Sequence, residues 1–158
     1  MSVSLRVLCG GLTLVLAACS SFEKEWKQNR ASRHIDPFAG RWEGRWTSAK
    51  HANAGGRLRC VLQPIDAAHY RAAFKANWLA FSSSYVMTLE AQRRGQQLHF
   101  QGTHRLPAMF GGVYRYHGRA TSQHFRAQYD SSYDRGTFEM SKLADENSRC
   151  PKAHVSTE

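Results

Sequence analysis

From Phe38 to Leu143, apolar and polar residues alternate with a period of two, and the alternation recurs in eight short runs. Trp42, Gly44 and Trp46 interleave with Arg41, Glu43 and Arg45. Tyr70, Ala72, Phe74 and Ala76 interleave with Arg71, Ala73 and Lys75. Tyr85, Met87 and Leu89, then Leu98, Phe100 and Gly102, then Tyr114, Tyr116 and Gly118 repeat the pattern. Runs through Leu58–Cys60–Leu62, Phe125–Ala127–Tyr129 and Phe138–Met140 complete it. Side chains leave a β-strand on alternate sides, so each run reads as a strand with one greasy and one wet face. No run is apolar on both faces, which argues against a parallel α/β sheet. The links are short and rich in Gly, Asp, Asn and Ser, as hairpin turns are. The expected fold is all-β: an eight-stranded antiparallel up-and-down meander closed into a small barrel, with a two-layer β-sandwich as the alternative. Closure is favoured because it removes both sheet edges.

Ahead of the alternating region, residues 1–18 form a basic flank at Arg6 and an apolar run from Val7 to Ala18, too short for a comfortable membrane span. Residues 19–37 are polar and charged and read as a tether with a short helix around Phe22–Arg30. Residues 144–158 read as a tail. The chain carries 22 Lys and Arg against 12 Asp and Glu, a net +10. Such a surface favours anionic lipid headgroups or other polyanions. Arg57, Arg59, Arg115 and Arg119 fall on the wet face and are the candidate contacts. No base-stacking motif points to nucleic acid.

Two resemblances sharpen this. Leu16-Ala17-Ala18-Cys19 resembles the bacterial lipobox. That resemblance implies cleavage before Cys19, an acyl (palmitate) anchor on Cys19 and, with Ser20 rather than Asp beside it, the outer membrane facing the periplasm. In that oxidising compartment Cys60 and Cys150 are the expected disulfide pair. Alternation points Cys60 inward, so the pairing needs a bulge near Gly55-Gly56 or a tail that caps a barrel end. Phe38-Ala39-Gly40-Arg41-Trp42 resembles the opening of a lipocalin, in which Gly-x-Trp begins the first strand. The chain is shorter than a usual lipocalin, has no clear C-terminal helix, and repeats the motif at Gly44-Arg45-Trp46. The resemblance implies a lipocalin-like barrel holding a small apolar or amphipathic ligand.

In a meander, alternate links share one barrel end. Ser48–Gly55, Asn77–Ser84, His104–Gly112 and Ser131–Arg135 are mostly the longer links and share one end. They carry Trp78, Leu79, Phe81, Met109 and Phe110. These residues plug the core, line a ligand entrance, or meet a membrane or partner. With Tyr85, Tyr114 and Tyr116 inside, Trp78, Phe81, Met109 and Phe110 form the candidate ligand site. The inward rings suggest a filled interior, and the inward glycines and alanines suggest either interdigitation or a hollow. Chemistry is sparse. No metal, haem, phosphate-loop or nucleophile-elbow motif occurs. His99 and His117 would face each other if their turn centred on Ala108, and are otherwise solvated. Asp134-Arg135-Gly136 reads as a turn. The expectation is a non-enzymatic binding protein without cofactor or metal. Its alternative is a structural or interaction lipoprotein with a filled barrel and a basic surface.

Overall fold

The computed structural model describes residues 21–30, 35–108 and 111–144. A helix, α1 (21–28), precedes eight strands: β1 (Gly40–Ser48), β2 (Gly55–Pro64), β3 (His69–Trp78), β4 (Phe81–Arg94), β5 (Gln97–Arg105), β6 (Val113–Ala120), β7 (His124–Asp130) and β8 (Arg135–Lys142). Each strand pairs antiparallel with the next. β1 then pairs with β8, from Trp42↔Lys142 to Ser48↔Gly136, so the sheet closes on itself. That ladder excludes the sandwich.

Parity is carried faithfully around the wall. Trp42, Cys60, Phe74 and Tyr85 are successive cross-strand neighbours facing inward, and Glu43, Arg59, Lys75 and Ser84 are their outward counterparts. The β1–β2 register runs unbroken from Gly40↔Leu62 to Thr47↔Gly55, so no bulge turns Cys60 outward. Cys60 is fully buried in the core, and burial pushes its thiol pKa well up. Gly44 lets β1 approach β8. A Cβ there would overlap the Glu139 carbonyl oxygen and lie 2.6 Å from Met140 Cα.

The structure departs from the sequence reading at several links. Asn77–Ser84 is not a loop. The strands run on to Trp78 and from Phe81, joined by the two-residue turn Leu79-Ala80, and Ser82, Ser83 and Ser84 pair with Asn77, Ala76 and Lys75. Three serines carry no hydrophobic alternation, which is why the sequence hides the strand there. The β5–β6 register centres on residue 109. His99 therefore faces Arg119, and His117 faces Gln101. Arg135 and Gly136 belong to β8, and the turn before them is closed by Asp134, whose carboxylate accepts from Ser48 Oγ and the Arg135 amide.

Residues 21–28 are packed against the wall. Phe22 and Trp26, four apart on one helix face, stack and bury against Val61 and Ala73 on the outside of β2 and β3. Arg59 lies over both rings and Arg41 over Trp26. Glu23 accepts from Arg59 (2.6 Å) and Lys75 (2.9 Å), and Glu25 pairs with Arg71. An isolated helix this short is marginal in water, so its docking holds it. The hydrogen bond from Arg59, helped by Lys75, holds the Glu23 carboxyl at about 2, against the usual 4.5. Because that value is depressed in the folded chain, the docking contribution is full above about pH 4.5 and is lost as the pH falls toward 2. Acid titration followed by Trp26 fluorescence is expected to show α1 releasing in that window, and Glu23→Gln should remove the pH dependence. Separately, Gly44→Ala should lower the urea midpoint by an amount worth about 1–3 kcal/mol. An unchanged midpoint would mean that β8 moves aside.

Candidate functional site

One barrel end is sealed by residues just ahead of β1. Phe38 is buried there, with the Arg93 guanidinium over its ring at 5.0 Å, and Trp42 Nε1 donates to the Phe38 carbonyl at 3.0 Å. Asp36 folds the entering chain by accepting from the Phe38 amide (2.8 Å) and from Tyr70 OH (2.7 Å). Burial and that donation raise Tyr70 to about 12, so its proton stays in place at any ordinary pH. Lys142 Nζ donates to the Pro37 carbonyl at 2.7 Å and stands over the Trp42 ring.

Above this floor the lumen is solid. Rings from non-adjacent strands meet across the axis. Phe74 of β3 meets Phe125 of β7 (6.4 Å between centroids) and Phe138 of β8 (5.7 Å). Trp42 of β1 meets Phe125 (5.9 Å), and Tyr116 of β6 meets Phe138 (5.7 Å). These separations are normal ring contacts, so rings from opposite walls touch along the axis. The small inward residues interdigitate with this stack: a Cβ on Gly102 would crowd Met87 Cε at 2.8 Å and Leu89 Cδ2 at 2.9 Å.

The other end is open. Trp46, Tyr85, His104 and Tyr114 point inward there and are only half-buried. Tyr129 OH donates to Asp134 at 2.8 Å, and burial followed by that bond pushes its pKa far up. Tyr116 OH reaches Tyr85 OH at 3.5 Å, and burial lifts Tyr116 to about 12. The Tyr116 and Tyr129 hydroxyls therefore keep their protons at neutral pH. Trp46 Nε1 donates to the Asn77 carbonyl at 3.0 Å, which Gly56 permits, since any Cβ there would overlap that oxygen.

The wall itself is incomplete at this end. β4 pairs with β3 from Phe81 to Glu90, but with β5 only from Leu89↔Gly102 to Arg94↔Gln97. Among the described residues, no ladder joins 81–88 of β4 to 103–105 of β5, which leaves a slit in the hydrogen-bonded wall. Across the slit Tyr85 stacks on His104, with centroids 4.7 Å apart. Burial lowers the His104 pKa, so the ring is neutral at physiological pH.

Of the residues singled out from the sequence, the structure brings Tyr85, Tyr114 and Tyr116 together at the open end. Trp78 and Phe81 stand above them on the β3–β4 hairpin. Cys19, Met109, Phe110 and Cys150 lie outside the described residues. Arg57 is paired with Glu43, and Arg59 is held under α1 by Glu23. Arg115 and Arg119 are exposed, and Arg119 sits directly opposite Arg126. His104 and Trp46 are the members of the rim that sequence reasoning left out of the site. The signal for His104 was its parity with Phe100 and Gly102. Among the described residues no group of three or more His, Cys, Asp or Glu is placed to hold a metal ion. No described helix is long and apolar enough to cross a membrane.

Phe74 joins the two halves of the ring stack, so Phe74→Ala is expected to cost about 3–5 kcal/mol in chemical denaturation. It should also open a dry hollow that binds benzene, detected as a benzene-dependent rise in Tm absent from the unaltered protein. A benzene response in the unaltered protein would contradict the solid lumen.

No family model, no curated protein and no solved structure matches this chain.

Proposed function

We propose that the chain is a lipid-anchored binding protein of a bacterial cell envelope, held through Cys19 at the outer membrane and facing the periplasm. Its lipocalin-like barrel takes a small amphipathic molecule at the open end. The observation that carries this reading is the asymmetry between the two ends. One is closed by Phe38, Asp36 and Arg93. The other presents half-buried inward rings and a slit bridged by Tyr85 and His104. A ligand held there lies across the rim, because the ring stack below leaves no depth. Its apolar part rests on Trp46, Tyr85 and Tyr114, and a polar group meets the tyrosine hydroxyls or the His104 ring. Nothing in this reading requires an enzyme. The lipocalin-like part rests on Gly40-x-Trp42 at the start of β1 together with the closed meander.

The solid lumen favours a second reading, in which the barrel is a scaffold and the outer surface binds an anionic envelope component. The Arg119–Arg126 juxtaposition supports it, since like charges directly opposite on neighbouring strands are destabilising without a counter-ion. Glu139 answers Arg126 alone.

Titration with 1-anilinonaphthalene-8-sulfonate, an amphipathic aromatic anion, separates the two. Rim binding predicts saturable quenching of Trp46, with Tyr114→Ala weakening affinity about tenfold, or about 1.4 kcal/mol. Tyr70→Phe at the sealed end should leave it unchanged. If Arg119→Glu abolishes binding and Tyr114→Ala does not, the rim reading fails and the surface reading stands. Intact mass of the membrane-extracted protein tests the anchor: acyl chains on Cys19 are expected, and an unmodified Cys19 would remove it.

A further inference from the structure

The β3–β4 hairpin rises beyond the rim and ends in Trp78-Leu79-Ala80-Phe81. Trp78 is 51% exposed, Leu79 87% and Phe81 73%. A two-residue hairpin turn favours Asn-Gly or a similar pair, because its central residues take positive φ. This turn holds Leu79 in that conformation, at φ 51°. A bulky residue there opposes turn chemistry, and a Leu at a hairpin tip opposes solubility. Trp78 and Phe81 are cross-strand partners of inward parity, so their rings flank the tip over the open end. Nothing else among the described residues covers them. We propose that this tip seats the open end of the barrel in an anionic lipid surface.

Charge and chain path both favour that occupant. Lys50, Arg105, Arg115 and Arg135 lie on the links and strand ends around the same rim and are exposed. Among the described residues the one exposed carboxylate facing them there, Asp130, sits opposite Arg115 and Arg135. The Asp134 carboxylate is buried and taken by Tyr129 and Ser48. An apolar tip with Trp at its base, ringed by cations, matches the layering of a bilayer interface: acyl boundary, aromatic belt, anionic headgroups. The N-terminus of α1 points to the same end. Ser21 borders a groove with Arg71 and Ala73 of β3 and with Ser84, Tyr85 and Val86 of β4, the last three lying three to five residues along the strand from Phe81. Cys19 is two residues upstream of Ser21, a reach of at most about 7 Å. The anchor of the proposed function, on which this part of the argument rests, therefore leaves the wall on the flank of the same β3–β4 pair that ends in the tip, and both meet one bilayer. An amphipathic ligand would pass between lipid and rim without crossing water.

The test uses the full-length membrane-extracted chain reconstituted in phosphatidylcholine vesicles containing phosphatidylglycerol, with brominated acyl chains as quencher. Trp78 is the exposed indole of the described residues, and Trp26, Trp42 and Trp46 are wholly or partly buried. Bromolipid quenching is expected, and Trp78→Phe should remove the greater part of it. Leu79→Glu should lower quenching to the level of Trp78→Phe while leaving Trp78 in place, and omission of phosphatidylglycerol should reduce it. Circular dichroism verifies that both variants keep the barrel. Quenching of the unaltered chain no greater than that of Trp78→Phe overturns the proposal. If that occurs while Cys19 carries acyl chains, the anchor stands and the seat is wrong. If Cys19 is unmodified yet Trp78 is quenched, the seat stands and the anchor is wrong.

Discussion

Contact between rings across the barrel axis is the interaction on which the rest of the structure depends. An eight-stranded barrel is just wide enough for side chains to fill it or to hold one small ligand. Here Phe74, Phe125, Phe138, Trp42 and Tyr116 meet in the middle. That contact fixes inward parity on every strand, because a one-residue slip would turn a strand's rings into water and its arginines into the core. It also confines binding to what remains above the stack: the rim, the slit and the hairpin.

Electrostatics does a second job outside the wall. The arginines of the wet face keep strands soluble, but two of them, Arg41 and Arg59, also form the platform for Phe22 and Trp26. Glu23 and Glu25 then answer Arg59, Lys75 and Arg71. A positively charged wall is thus covered by an acidic, aromatic helix at one place and left open at others. The uncovered places include Arg119, where a partner would find a cation that faces Arg126 rather than a carboxylate.

Much of the barrel was legible in the sequence because parity is a local property. Tyr70, Phe74, Tyr85, Phe100, Tyr116 and Phe125 each announce their face through their immediate neighbours, and turn residues mark most hairpins. What could not be read depends on position in space. Ser82–Ser84 is strand because Lys75, Ala76 and Asn77 lie opposite, not because of its own side chains. The facing of His99 with Arg119 depends on where one turn centres. The docking of α1 left a trace, Phe22 and Trp26 spaced by four, but their target on Val61 and Ala73 exists only after the barrel closes. The rim was half legible. Tyr85, Tyr114 and Tyr116 follow from parity, whereas the slit beside Tyr85 arises from a ladder that stops at Leu89.

A barrel packed to its axis is also a spacer of fixed length. Close-packed interiors compress little, so the distance between the two ends is set by the strands alone. β1 has nine residues, about 30 Å of strand, and tilt brings the axial height to roughly 20–25 Å. With the hairpin end against a bilayer, the turn at Ile65–Ala68 stands that far above the lipid. The exposed Ile65 on that turn is then held at a constant height over the membrane, whatever the rim carries.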